Sequence, residues 1–225
     1  MDTNGDKNSD RPPHTMRVPS FLKEHPTKIV DVELNYRDHA EKIGMKLPAK
    51  PLFCYKPIDT IIGPDDEIVI PRNCFSVDYQ ATLAIIIKSK MHGILQEEVM
   101  KHVEGYTCAN DLTAREEPAI RGQYYLMKSY PTLTPLGPAV VKNSNPNALT
   151  IECYVNGKRC QKSNTNQFLF SVEELLAAIN KDTVLYPGDI VLTGTPYGIG
   201  PVFDGDVVEV VIESIGRLRN HVVKK

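Results

Sequence analysis

No uninterrupted apolar run in this 225-residue chain is longer than a strand: the longest, Leu83 to Ile87, falls far short of the ~20 residues that span a bilayer. Charge of one sign is missing as well. The formal net charge is −2, and Arg and Lys are scattered, with no run longer than the terminal Lys224-Lys225. Neither nucleic acid nor an anionic membrane is therefore expected as a partner. The five cysteines (Cys54, Cys74, Cys108, Cys153, Cys160) show no C-x-x-C spacing. Most sit in apolar surroundings and are expected to be reduced, buried thiols of a cytoplasmic protein. Cys153 and Cys160 flank an Asn156-Gly157 turn signal and can face each other across it. The polar start carries Asp2, Asp6 and Asp10, and lacks both the apolar core of a signal peptide and the acid-poor character of a transit peptide. Repeats of 20–50 residues and low-complexity tracts are also absent.

What is present reads as one domain behind a short arm. Residues 1–16, polar and containing Pro12-Pro13, are expected to be a disordered arm, and 17–225 a single catalytic domain. Strands are predicted at 29–32, 66–70, 77–88, 107–113, 190–193 and 207–212, with a polar turn or helix after 113 running through Arg121. A short helix is predicted over 35–44. Asn156-Gly157 between two alternating runs predicts a hairpin over 150–161. Ser171-Val-Glu-Glu174 opens a capping box before the apolar helix at 175–179. Many strands, few helices and 17 prolines indicate a mixed α/β, β-rich architecture.

Three segments concentrate the chemistry: Asn35-Tyr-Arg-Asp-His39; Gly105-Tyr-Thr-Cys-Ala-Asn-Asp111-Leu-Thr-Ala-Arg115; and Pro187-Gly-Asp-Ile-Val-Leu-Thr193-Gly-Thr-Pro-Tyr-Gly-Ile-Gly200, followed by Gly205-Asp206. Lys128 with Pro135-Leu-Gly-Pro138 lies between the last two. In order and spacing this set resembles the fumarylacetoacetate hydrolase (FAH) family over residues 28 to 223. The resemblance implies an FAH-type β-roll with a few short helices, usually dimeric. Members cleave, decarboxylate or tautomerise 2-oxo and 1,3-dicarbonyl acids through enolate-like intermediates. They usually hold magnesium or manganese on a Glu-x-Glu pair plus one Asp, because the ion chelates a keto acid and stabilises the developing oxyanion.

The chain departs from that pattern where the metal belongs. Gln80 and Thr82 stand at the Glu-x-Glu positions, and only Asp111 remains. No metal is therefore expected; if one binds, Asp111, Asp78 and Gln80 are the ligands to consider. Glu33 replaces a common Gly, Lys42 stands where His39 would have a Glu partner, and Pro118 takes a substrate-binding Gln position. The retained residues still form a coherent set. Lys128, His39, Arg115, Gln80, Thr82 and Glu33 are the catalytic candidates, and Thr193, Gly194, Thr195, Tyr36 and Asp111 the substrate-binding ones. Lys128 supplies a cation, Arg115 a bidentate clamp, the Thr193–Thr195 loop hydroxyl and N–H donors, and His39 a proton shuttle. Each has a structural alternative: Asp111 with Arg115 as an ion pair, Thr193 to Pro196 as a turn, Lys128 at the surface, His39 as a cap.

Three functions stay open. One is a metal-independent tautomerase, isomerase, decarboxylase or cyclase acting on a carboxylated keto or enol substrate, in a specialised, biosynthetic pathway. Another is a metal-dependent C–C hydrolase or decarboxylase with a weak magnesium or manganese site. The third is a non-catalytic paralogue subunit. Proton relocation ranks above hydrolysis, since a base and an oxyanion stabiliser suffice for it. The expected partners are a small carboxylated substrate and a second copy of the chain in a homodimer.

Overall fold

The computed structural model describes residues 18–72, 74, 76–115 and 124–225. The expected arm at 1–16, the segment leading to Arg121 and Pro118 lie outside them. Its elements in chain order are β1 (Ile29–Val32), α1 (Arg37–Ile43), β2 (Phe53–Lys56), β3 (Ile61–Ile62), β4 (Glu67–Ile70), β5 (Ser76–Tyr79), β6 (Ala81–Ile87), β7 (Val103–Asn110) and β8 (Thr113–Arg115). There follow α2 (Tyr124–Met127), β9 (Thr134–Val141), β10 (Thr150–Val155), β11 (Lys158–Asn164), α3 (Val172–Asp182), β12 (Ile190–Leu192), β13 (Gly200–Val202), β14 (Val207–Ile212) and β15 (Gly216–Lys224).

These strands build three sheets: β2-β1-β12-β6-β7-β9-β3, β11-β10-β14-β15-β4 and β13-β5-β8. Central strands of the first are apolar on both faces, and each face has its own core. Val30, Leu83, Ile85 and Val191 point into the larger one, together with Val172, Leu175, Leu176 and Ile179 of α3 and the inner residues of the five-stranded sheet. Ile29, Ala84, Ile86, Ile190 and Leu192 form the smaller one on the other face, covered by Leu22 and Ile61. The α3 capping box forms as expected, with Glu174 N–H donating to Ser171 Oγ at 3.3 Å and Ser171 N–H to Glu174 Oε2 at 2.7 Å. The hairpin turns at Asn156 and Gly157, both at positive φ, as a two-residue turn with this sequence requires.

Two expected strands are each split in two, at one shared corner. The run 77–88 breaks at Gln80, so β5 joins the three-stranded sheet and β6 the seven-stranded one. The run 107–113 likewise breaks at Asp111-Leu112 into β7 and β8. Hydrogen bonds explain the joint break: Gln80 N–H donates to Asn110 Oδ1 at 2.8 Å, and Asp111 N–H donates to Gln80 O at 2.9 Å. Both chains thus step between sheets at the same level, and the corner they make carries Gln80 and Asp111.

The Pro-Gly-Asp motif proves to be an anchor. Fully buried Asp189 accepts from Thr27 N–H at 2.7 Å, Thr27 Oγ1 at 2.8 Å, Lys28 N–H at 3.1 Å, Lys28 Nζ at 2.9 Å and Tyr186 N–H at 2.8 Å. It ties the entry of β1 to that of β12, its parallel neighbour. Gly188 sits at φ +86°, where a Cβ would lie 2.8 Å from Glu24 O, so no larger residue fits. Asp189→Asn turns one acceptor oxygen into a donor facing other donors. It is expected to cost about 3 kcal/mol, read as a lower urea midpoint; an unchanged midpoint would sink the anchor role.

Candidate active site

One face of the seven-stranded sheet brings four charges together. Asp31 and Ile29 alternate onto the same side of β1, and their partners across the ladder are Cys54 and Lys56 of β2. Asp31 also stands level with Leu192 of β12, and Leu192 with Ala84 of β6. Thr82, two residues from Ala84, therefore faces the same way as Asp31. The corner after β7 supplies Asp111. Short α2, which packs on β2 and β8, delivers Lys128.

The resulting network is buried. Lys128 Nζ donates to Asp31 Oδ2 and to Asp111 Oδ2. Lys56 Nζ donates to Asp111 Oδ1 at 2.5 Å and to the carbonyls of Leu133 at 3.0 Å and Leu112 at 3.3 Å. Burial acts upward on Asp111, but the ammonium groups of Lys128 and Lys56 outweigh it and hold the carboxyl at about 2. Burial and then the Asp111 charge push Asp31 up to about 7, against the pull of Lys128 and Lys56. Burial alone would lower Lys128; Asp111, Asp31 and Glu33 overcome it and keep the ammonium protonated, well above its ordinary value.

The other expected residues divide into three groups. Gln80 and Thr82 adjoin the cluster through the corner, yet both are committed: Gln80 Nε2 donates to Thr113 Oγ1 at 2.8 Å and Thr82 Oγ1 to Gln80 O at 3.1 Å. Exposed Glu33 flanks the cluster and accepts from Cys54 Sγ at 3.3 Å. Arg115 does not pair with Asp111. Its Nε engages Asp78 at 2.8 Å in the three-stranded sheet, with the Arg115 side chain 39% exposed; this removes Asp78 as a free metal ligand.

The loop after β12 is held rather than open. Thr193 N–H and Oγ1 both donate to Leu83 O, at 3.1 and 2.9 Å. Asn35 Nδ2 donates to Thr193 O at 3.0 Å. Gly194 has φ +90°, and a Cβ there would lie 3.1 Å from Asn35 Cβ. Thr195 Oγ1 accepts from Gln161 Nε2 at 3.0 Å. The donors expected to meet an anion at Thr193 are therefore spent on the fold. Tyr36 is fully buried, edge-on to Phe168 with ring centroids 4.9 Å apart. His39 is half-buried, 6.5 Å from the Tyr197 ring; burial holds its imidazole below its ordinary value, against the nearby Asp38 charge.

Asp31, Lys56 and Cys54 were missed as site residues in the sequence. An Asp inside the apolar strand Ile29-Val-Asp-Val32 was the available signal, because a charge buried in a strand needs a partner.

The donors present do not fit a divalent ion at the family's position. Both Asp111 oxygens already face ammonium groups, and Gln80 and Thr82 are neutral and engaged. Among the described residues, Asp31, Glu33 and Cys54 do place ligand-type atoms within 4.8 Å of one another. Yet Asp31 is paired with Lys128, and burial followed by the charges of Asp31 and Glu33 pushes the thiol up, so that it stays protonated. Magnesium and manganese prefer hard, anionic oxygens.

Comparison with known proteins agrees with the fold. Residues 28–223 match the family described as fumarylacetoacetate (FAA) hydrolase C-terminal. The uncharacterized protein MJ1656 of Methanocaldococcus jannaschii is 47% identical over 197 residues, covering 88% of this chain and 83% of its own. Oxaloacetate tautomerase Fahd2a, mitochondrial, of Rattus norvegicus is 40% identical over 209 residues, covering 88% and 67%. The crystal structure of 5-carboxymethyl-2-hydroxymuconate delta-isomerase from Mycobacterium smegmatis superposes with a TM-score of 0.83 at 36% identity, over 89% of this chain and 80% of that one. The chain belongs to the fumarylacetoacetate hydrolase family. No helix among the described residues is long and apolar enough to cross a membrane.

Lys56→Met leaves one Asp111 oxygen and two buried carbonyls without their donor, and is expected to cost about 3–5 kcal/mol at pH 7. The folded-state carboxyl of Asp111 is depressed, so its stabilisation is present above the unfolded value of 3.8 and lost as pH falls toward 2. Asp31 acts in the opposite sense. Its folded value near 7 exceeds 3.8, so the folded state holds an extra proton between about pH 4 and 7 and loses stability as pH rises through that window. Urea titrations from pH 4 to 8 should show that slope in wild type and a flatter one in Asp31→Asn. Parallel curves would refute the assignment.

Proposed function

We propose that this family enzyme relocates a proton in a carboxylated keto or enol substrate, a tautomerisation or isomerisation run without a metal. The observation that carries the reading is the Lys128 ammonium, buried between Asp31 and Asp111 beside the corner where the family's ion would sit. A fixed cation in a poorly hydrated site stabilises a developing enolate oxygen without reorganising solvent. It is, moreover, a proton donor in reach of two carboxylates. Arg115, a partly exposed side chain on β8 next to α2, is suited to hold the substrate carboxylate. Relatives named as a tautomerase and a delta-isomerase support the class of reaction. Hydrolysis fits less well: His39 has Lys42 where a carboxylate partner would stand, so the family's usual acid/base pair is broken.

Gln80, Thr82 and Glu33 are assigned supporting parts, shaping the corner and the mouth, while Thr193, Gly194, Thr195 and Tyr36 set the wall behind them.

Oxaloacetate is the probe of choice, its enol-to-keto conversion followed by ultraviolet absorbance. Catalysis is expected to survive EDTA and to gain nothing from added magnesium or manganese. Lys128→Met should lower kcat/KM by about 10²–10³-fold, the usual loss for one oxyanion donor. Activity abolished by EDTA and restored by magnesium would replace this reading with the weak-metal hydrolase or decarboxylase.

A further inference from the structure

Within the four-charge cluster the two carboxylates are bonded unequally. Asp111 uses both oxygens, one for each lysine. Asp31 uses only Oδ2, which takes Lys128 and a long 3.7 Å contact from Cys54 Sγ. Its Oδ1 is buried and has no hydrogen-bond partner among the described residues. A carboxylate serving only to neutralise Lys128 would have its second oxygen satisfied by the fold, as Asp111 does; an orphaned buried acceptor costs stability and points to a partner that arrives with the ligand.

We propose that Asp31 is the catalytic acid–base residue of this site: its free Oδ1 takes the proton from the carbon beside a substrate ketone, while Lys128 holds the ketone oxygen. The inference rests on the metal-independent reading above. In the step, the C–H electron pair becomes the C=C bond and the C=O π pair moves onto oxygen. The proton resides on Asp31, then passes to that oxygen to complete the enol; the reverse path returns it to carbon. No oxidant, reductant or second substrate is consumed. Glu33 beside Asp31 is exposed and Cys54 half-buried, and the long thiol contact is the weakest bond Asp31 makes.

The groups facing Asp31 are Lys128 after α2, Asp111 at the β7–β8 corner, Lys56 and Cys54 on β2, and Glu33 beyond the end of β1. Burial and the Asp111 charge lift Asp31 to about 7, the range in which a general base is most effective at neutral pH. Asp111, doubly paired and held at about 2, is too weak a base for the same work.

The test uses the full chain and oxaloacetate across pH 5.5–9. Wild-type kcat/KM should show an acid limb near pH 7 and, in deuterium oxide, catalysed exchange at the methylene carbon. Asp31→Asn should lose about 10²–10⁴-fold in kcat with KM little changed, along with the exchange and the acid limb. Asp31→Glu should recover part of the rate. If Asp31→Asn fails to fold, the wild-type profile decides, because a flat profile from pH 5.5 to 8.5 overturns the proposal. An active, EDTA-insensitive wild type with an equally active Asp31→Asn defeats this inference alone. A wild type that is inactive or EDTA-sensitive defeats the metal-independent reading and this inference with it.

Discussion

Two carboxylates and two ammonium groups buried against one another, Asp31–Lys128–Asp111–Lys56, are the constraint around which this molecule is arranged. Isolated, each charge would be very costly to remove from water. Together they are tolerable only if every member is placed by the fold with little freedom, and four separate elements meet that demand. Strand β1 supplies Asp31 and its neighbour β2 supplies Lys56, on the same face by alternation. The corner after β7 supplies Asp111, and the turn after α2 supplies Lys128. Lys56 additionally draws on the carbonyls of Leu112 and Leu133, so the break between β7 and β8 is fixed by the same ammonium group that neutralises Asp111.

Most of the family's signature residues are then bound into the fold itself. Asp189 registers β12 with the start of β1; Asn35 binds the Thr193 carbonyl and, through Oδ1 and Nδ2, the backbone of Phe170. Gly194 lets that loop pass against Asn35. These are ties between the strand that carries Asp31 and the strand beside it. A motif can be specific in sequence because backbone segments must approach closely, with no member touching a substrate.

The architecture was largely legible from alternation, the Asn156-Gly157 turn and the Ser171 capping box, because those signals are local. The two split strands were not, since the apolar pattern runs unbroken through Gln80 and the break is imposed by Asn110 and Asp111 some thirty residues away. The site was half legible. Lys128 and Asp111 followed from the resemblance, and the missing Glu-x-Glu pair was visible as Gln80 and Thr82. Asp31 and Lys56 are not legible in the same way, because neither belongs to a motif that carries the resemblance. Whether a charge in an apolar strand is paired depends on partners that only the folded chain brings near. Thr193 shows the converse error: a hydroxyl in a Gly-rich loop looks available until its bond to the Leu83 carbonyl is seen.

On the proposed metal-independent reading, lysine ammonium groups stand in for a divalent ion, and this changes what the site can respond to. A metal site is governed by the ion's supply, and its charge is indifferent to modest changes in pH. Here the Lys128 charge is covalently part of the chain and stays protonated far above neutrality, so that cation is always present. The variable half is the carboxylate that is left over. Asp111 is doubly neutralised and remains ionised at any physiological pH, whereas Asp31 is bonded to one ammonium, has a like charge nearby and is fully buried. A cluster built this way concentrates its sensitivity to pH in a single proton on Asp31. The same imbalance that makes Asp31 expensive to ionise makes its proton exchangeable near neutrality, and proton exchange is the one chemical step that enolising a keto acid requires.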